Sequence, residues 1–290
     1  MSKGNATLTR IASALVTLPV YIFGLATDMF YSLPVLLVSV VISLICLYEY
    51  YQISYRDEAH GPIMWFGIAA GFFVNVLMYL YAFGGIRFVR PFDARAIFVV
   101  FSLFMTAILI YHLFKRPLRG GVYSLGVTVF GVMYIVFSFS HVILLKALNN
   151  GIYYILILNV VVMINDAAAY FGGVFFGSHK TNFEVSPNKS WEGYFSGLLF
   201  SIIGIIITNH IVLILSGVKL FDMIEAAVIG IVLSVLGHLG DLVESAIKRD
   251  SAIKDSGSII PGHGGMWDVF DALIFTTPLF YYYLIIKGIV

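Results

Sequence analysis

The sequence predicts an all-α, polytopic integral membrane protein with about nine transmembrane helices and a cytoplasmic N-terminus. Three observations predict it. The 290 residues are 60% hydrophobic and only 11% charged. Apolar runs repeatedly reach the roughly 20 residues that cross a hydrocarbon layer, too long for a soluble core. Lys and Arg are spread unevenly over alternate loops, as orientation in a membrane requires. The net charge of +1 is too small to suggest a nucleic-acid partner.

Polar and Gly/Pro breaks divide the chain into spans at roughly 8–27, 32–53, 62–83, 95–114, 122–145, 151–176, 194–216, 223–248 and 267–288. The first run carries no convincing small-residue cleavage site and is followed at once by another span, so it reads as a retained helix. The second holds Cys46, the single cysteine, which excludes a disulfide framework. These two and the next three are poor in polar residues and read as a scaffold, residues 1–150. Residues 151–290 read as the catalytic half, with four helices and two polar loops, about 177–193 and 249–266.

Nine spans with the N-terminus inside place Lys3, Arg10, Arg56, Lys115, Arg116, Arg119, Lys180, Lys189, Lys248, Arg249 and Lys254 in the cytoplasm. Arg87, Arg90, Arg95, Lys146, Lys219 and Lys287 fall outside. The excess inside supports this orientation, Arg87, Arg90 and Arg95 being the main dissent. Both polar loops of the second half then lie on the cytoplasmic side, where they can form one site.

Asp166, after Asn165, lies well inside the sixth span. An ionised carboxylate there costs about 2.5–3.5 kcal/mol on insertion scales, so it should face a wet cavity or a cation; a protonated or helix-bonded carboxyl is the plain alternative. In the loop before the seventh span, Ser186, Asn188, Lys189 and Ser190 offer one point charge and neutral hydrogen bonds for phosphate. Asn188 or Ser190 reads equally as a helix N-cap, and Trp191 as an interfacial aromatic. On the eighth span His238, Asp241, Ser245 and Lys248 share one helical face, with Glu244 and Lys248 at i,i+4. Asp241 should lie about 10 Å below the helix end.

Asp268 and Asp271, three apart, open the ninth span, where the helix dipole alone would favour anions. Several carboxylates without cysteine or a second nearby histidine favour a hard, oxygen-seeking cation such as Mg2+. His263, between two glycines, is a candidate ligand-contacting residue or a solvated loop histidine. No G-x-x-x-x-G-K-[ST] occurs, which removes a conventional P-loop.

At Ser245, Lys248, Arg249, Lys254, Asp255, Pro261, His263, Gly264, Gly265, Asp268 and Asp271 the chain resembles the signature S-x-x-K-R-x-x-x-x-K-D-x-x-x-x-x-P-x-H-G-G-x-x-D-R-x-D of the CDP-diacylglycerol synthase, or phosphatidate cytidylyltransferase, family. Asp166 with Ala169, Tyr170 and Gly173, and the loop S-P-N-K-S-W-E-G, are similar to two further motifs of that family. The resemblance covers roughly 160–275. One position departs: Val269 stands where the family usually has Arg, removing a possible bidentate contact to phosphate or carboxylate.

The resemblance implies transfer of the cytidylyl group from CTP to phosphatidic acid, giving CDP-diacylglycerol and pyrophosphate for phospholipid biosynthesis. The expected catalytic residues are Asp241, Lys248, Asp268 and Asp271. Asp166, Asp241, Asp268 and Asp271 are the expected metal ligands, with Mg2+ and, as the family suggests, a second cation such as K+. Ser186, Asn188, Lys189, Ser190, Arg249, Lys254 and His263 are expected to bind substrate. The expected setting is a multi-pass protein of the cell membrane, in contact with membrane lipid, its site facing the cytoplasm and its assembly a homodimer.

Three readings compete, of which an intramembrane aspartyl protease with Asp166 and Asp241 as its dyad is disfavoured because His238, Leu239 and Gly240 precede Asp241 where that group has G-x-G. A CTP-dependent lipid or polyprenol kinase would yield CDP and a phospholipid instead. A cation-coupled transporter would need acids near the midplane of several helices, whereas these cluster toward one face.

Overall fold

The computed structural model describes residues 21–84, 94–262 and 264–289. Among them eight helices are long and apolar enough to cross a membrane. They are α1 (Met29–Ile53), α2 (Met64–Phe83), α3 (Ala94–Lys115), α4 (Gly121–Ala147), α5 (Gly151–Phe176), α6 (Trp191–Ser216), α7 (Met223–Asp250) and α8 (Trp267–Ile286). Each matches an expected span to within a few residues. The first expected span lies mostly outside the described residues, of which 21–26 are helical. Among the described residues there is no β-strand, only isolated bridges in two loops, so the all-α polytopic class holds.

The helix ends follow local chemistry. Phe30, Tyr31 and Ser32 take left-handed φ of 50°, 58° and 60° just before Pro34, and the carbonyl freed at Tyr31 accepts from the Tyr79 hydroxyl at 2.8 Å. The regular part of α1 therefore begins close to the expected residue 32. Gly217 ends α6 at φ 72°, its N–H returning to the Leu213 carbonyl at 2.9 Å, a left-handed cap that glycine adopts without Cβ strain.

The chain divides into two compact units. The first comprises residues 1–147 and 255–269. Its interior pairs buried polar groups that lipid would leave unsatisfied: Asn75 of α2 accepts from Ser39 at 2.6 Å and donates to Ser43 at 3.0 Å. Tyr51 donates to the Thr128 carbonyl at 2.7 Å, beside a π-helical turn in α4 at Val132–Phe137. The signature loop belongs to this unit, although it follows α7 in sequence.

The second unit comprises residues 148–254 and 270–290. Small residues let its helices approach closely: a Cβ on Gly172 would sit 2.1 Å from Ser196 Oγ, and one on Gly240 2.9 Å from Phe275. At one end of the unit Lys287 pairs with Glu225 at 2.5 Å, and Tyr283 donates to the same carboxylate at 2.6 Å. The acids and lysines of interest lie toward the other end of α7.

Candidate active site

Within the second unit α7 presents Asp241, Glu244 and Lys248 at helical spacing on one face. Asp271 joins them from α8. One carboxylate oxygen from each of Asp241, Glu244 and Asp271 lies within 4.8 Å of the other two. Glu244 is 2% and Asp271 8% exposed, while Asp241 is half-buried. Like charges this close in a poorly solvated site need compensating cations. Two are at hand: Lys189 pairs with Asp241, and Lys248 with Glu244 at 2.7 Å. Asp241 also accepts from Ser245 Oγ at 3.4 Å, and Asp271 from the amide of Ala272 at 2.6 Å.

Asp166 on α5 is near enough for the charges of Asp241 and Lys189 to act on it. Its neighbour Asn165 is fully buried and organises three helices. Its amide nitrogen donates to Asp166 Oδ1 at 3.4 Å and lies 3.3 Å from His238 Nδ1 on α7. Its carbonyl oxygen accepts from Ser234 at 2.6 Å and Ser201 at 3.3 Å.

The loop before α6 delivers Lys189 through local pairing. Thr181 N donates to the Lys189 carbonyl at 2.9 Å, and Lys180 Nζ to the Asn188 carbonyl at 3.0 Å. Ser190, left open as substrate contact or cap, is buried and caps α6, its hydroxyl accepting from Gly193 N at 3.2 Å. Asn188 is exposed and Ser186 half-buried. Trp191 is 48% exposed at the start of α6, as an interfacial ring would be.

The remaining expected residues make other contacts. Arg249 and Lys254 are exposed, Arg249 donating to the Ile253 carbonyl at 3.3 Å. His263 lies outside the described residues. Asp268, in the first unit, accepts from Ser256 N at 2.9 Å and Gly265 N at 2.7 Å, so its carboxylate holds the backbone of the signature loop. The third acid of the trio is Glu244, which the sequence reading takes only as the partner of Lys248. Its place three residues after Asp241 on the same face was the available signal.

Three carboxylates and no sulfur or nitrogen donor are the ligand chemistry of a hard cation. Magnesium binds oxygen at about 2.0–2.1 Å, which puts ligand oxygens within about 4.2 Å of one another. The trio's oxygens, within 4.8 Å of one another, are close to that spacing, so the residues fit such an ion.

Fold and site together define a polytopic membrane protein that gathers carboxylates and lysines among its second-unit helices. Residues 8–287 match the model of the cytidylyltransferase family, and the chain belongs to that family. It is similar to the phosphatidate cytidylyltransferase of Bacillus subtilis, 35% identical over 190 residues, 65% of this chain and 66% of that protein. It is also similar to that of Staphylococcus epidermidis, 42% identical over 131 residues, 45% of this chain and 48% of the relative. The uncharacterized protein YnbB of Escherichia coli is 34% identical over 170 residues, 57% of this chain and 55% of that protein. The chain thus spans about half to two thirds of the length of these curated relatives.

Proposed function

We propose that this protein transfers the cytidylyl group of CTP to phosphatidic acid, forming CDP-diacylglycerol and pyrophosphate for phospholipid biosynthesis. The observation that carries the reading is the meeting of Asp241, Glu244 and Asp271 with Lys189 and Lys248 in a chain matched by the cytidylyltransferase model over residues 8–287.

The chemistry asks little of a general base. A phosphatidate oxygen is already anionic; it attacks the α-phosphorus of CTP, a new P–O bond forms, and the bond to the β-phosphate oxygen breaks with its electron pair leaving on pyrophosphate. The protein must hold two anions in line and stabilise the charge that departs. Lys189 and Lys248 would hold phosphates, exchanging their carboxylate partners for substrate oxygens. Arg249 and Lys254, both exposed, suit the entry of CTP, with Ser186 and Asn188 on the neighbouring loop.

Asp241, Glu244 and Asp271, with Asp166 beside them, would hold Mg2+, which when bound would neutralise phosphate charge and orient the triphosphate. A second cation such as K+ suits the same acids. We place the site on the cytoplasmic side of the cell membrane, where CTP is, with the protein acting as a homodimer.

The test is an assay of the full chain in lipid nanodiscs with labelled CTP, phosphatidic acid and MgCl2, with and without chelator. CDP-lipid and pyrophosphate that disappear with chelator are expected. Formation of CDP with a phosphorylated lipid would replace this reading by a lipid kinase.

A further inference from the structure

Glu49 is a buried acid in a membrane helix, and the transfer chemistry above does not use it. It lies near the end of α1 at 3% exposure. Both of its oxygens are engaged by the signature loop: Oε1 accepts from Met266 N at 3.0 Å, and Oε2 from Trp267 N at 2.8 Å and Ser256 Oγ at 3.1 Å. The contact with Trp267 joins residues 218 apart in sequence.

These donors are where a helix most needs an acceptor. The amides of Met266 and Trp267 head α8, so no earlier turn supplies carbonyls for them, and the helix dipole is positive there. The loop also closes tightly on the carboxylate. A Cβ on Gly257 would lie 2.5 Å from Oε1, and one on Gly265 2.5 Å from Oε2. Only glycine at these positions lets the backbone come so near. Beside Glu49, Tyr50 meets the fully buried Trp267 ring edge-on at 5.5 Å. Asp268 then binds the loop from its other side, through Ser256 N and Gly265 N.

We propose that Glu49 is a positioning residue for cytidylyl transfer: its carboxylate fixes loop 256–267 and the first turn of α8, and so the direction in which Asp268 leaves the backbone. Glu49 itself touches no reacting atom. The rate consequence rests on the transfer activity proposed above; the effect on the loop does not.

The test uses the full chain in nanodiscs. Glu49→Gln keeps the shape but turns one acceptor into an NH2 group facing backbone N–H donors. Gly265→Ala disturbs the same contact from the loop side, and Glu49→Asp keeps the charge on a shorter arm. Hydrogen–deuterium exchange is followed in peptides covering 256–267 and, as reference, 151–176, beside steady-state kinetics with CTP and phosphatidic acid.

Expected for Glu49→Gln and Gly265→Ala are about tenfold faster exchange in 256–267, none in the reference, and a kcat lower by about tenfold with KM for CTP nearly unchanged. Glu49→Asp should recover part of both losses. Wild-type exchange in the loop, a change in KM with kcat intact, or equal loosening of the reference peptides would overturn the proposal. Should Glu49→Gln fail to fold, Glu49→Asp and Gly265→Ala decide it on the same readouts. An unaltered chain without transferase activity would refute the proposed function and leave the exchange comparison standing.

Discussion

Replacing Asp271 by Asn separates a metal-ligand role from a structural one. An oxygen of Asp271 lies within 4.8 Å of one from Asp241 and one from Glu244. At an effective dielectric constant of about 20, unit charges at that distance repel by about 3.5 kcal/mol per pair. Lys189 and Lys248 offset part of this. Asparagine removes the charge while its amide oxygen can still accept from Ala272 N, the contact that Asp271 makes at 2.6 Å.

In chelator the variant should therefore melt at the same temperature as the unaltered protein or higher. With magnesium the order should reverse. A cation at 100 times its dissociation constant stabilises the folded protein by about 2.7 kcal/mol, and the variant should lose most of that gain. Its rate of cytidylyl transfer should fall by at least about a hundredfold, the scale of one lost electrostatic contact to the transition state. The assay is paired: thermal melting in nanodiscs with EDTA or MgCl2, and CDP-lipid formation from labelled CTP. Near-normal turnover of Asp271→Asn at saturating magnesium, or a lower melting temperature in chelator, would refute the reasoning.

Lys189→Ala removes the cation paired with Asp241; kcat/KM should fall about tenfold, or 1.4 kcal/mol, while the magnesium needed for half-activation does not rise, and a raised requirement would make Lys189 an organiser of the metal site instead. Asp166→Asn retains an oxygen that Asn165 can reach, so its melting temperature should hold while its rate drops severalfold; an altered melt with normal rate would reduce Asp166 to a packing group. Val269 is 41% exposed, so an arginine there need not be buried, and Val269→Arg should raise kcat/KM if the missing guanidinium limits the enzyme. Equal or lower kcat/KM at undiminished stability would dismiss that idea.

Composition and periodicity alone determined the class and nearly every boundary of the eight described spans. A span is a long apolar run bounded by Gly, Pro and charge, and both signals are local. The same locality made Asp241, Lys248 and Asp271 legible as candidates, because an ionisable residue at membrane depth is expensive enough to stand out. Spacing on α7 also showed which of its residues share a face.

What the tertiary structure decided was partnership. Asp268 and Asp271 look equivalent in sequence, three apart at one helix start, yet one carboxylate is spent on the amides of Ser256 and Gly265 while the other joins Asp241 and Glu244. Ser190 could equally have met substrate or capped a helix until its hydroxyl was seen to accept from Gly193 N. Glu49 lies in a stretch that reads as plain scaffold, and its partners are more than two hundred residues away. No periodic pattern records such a contact: a carboxylate is indifferent to sequence distance and is satisfied by whichever donors the fold brings within about 3 Å.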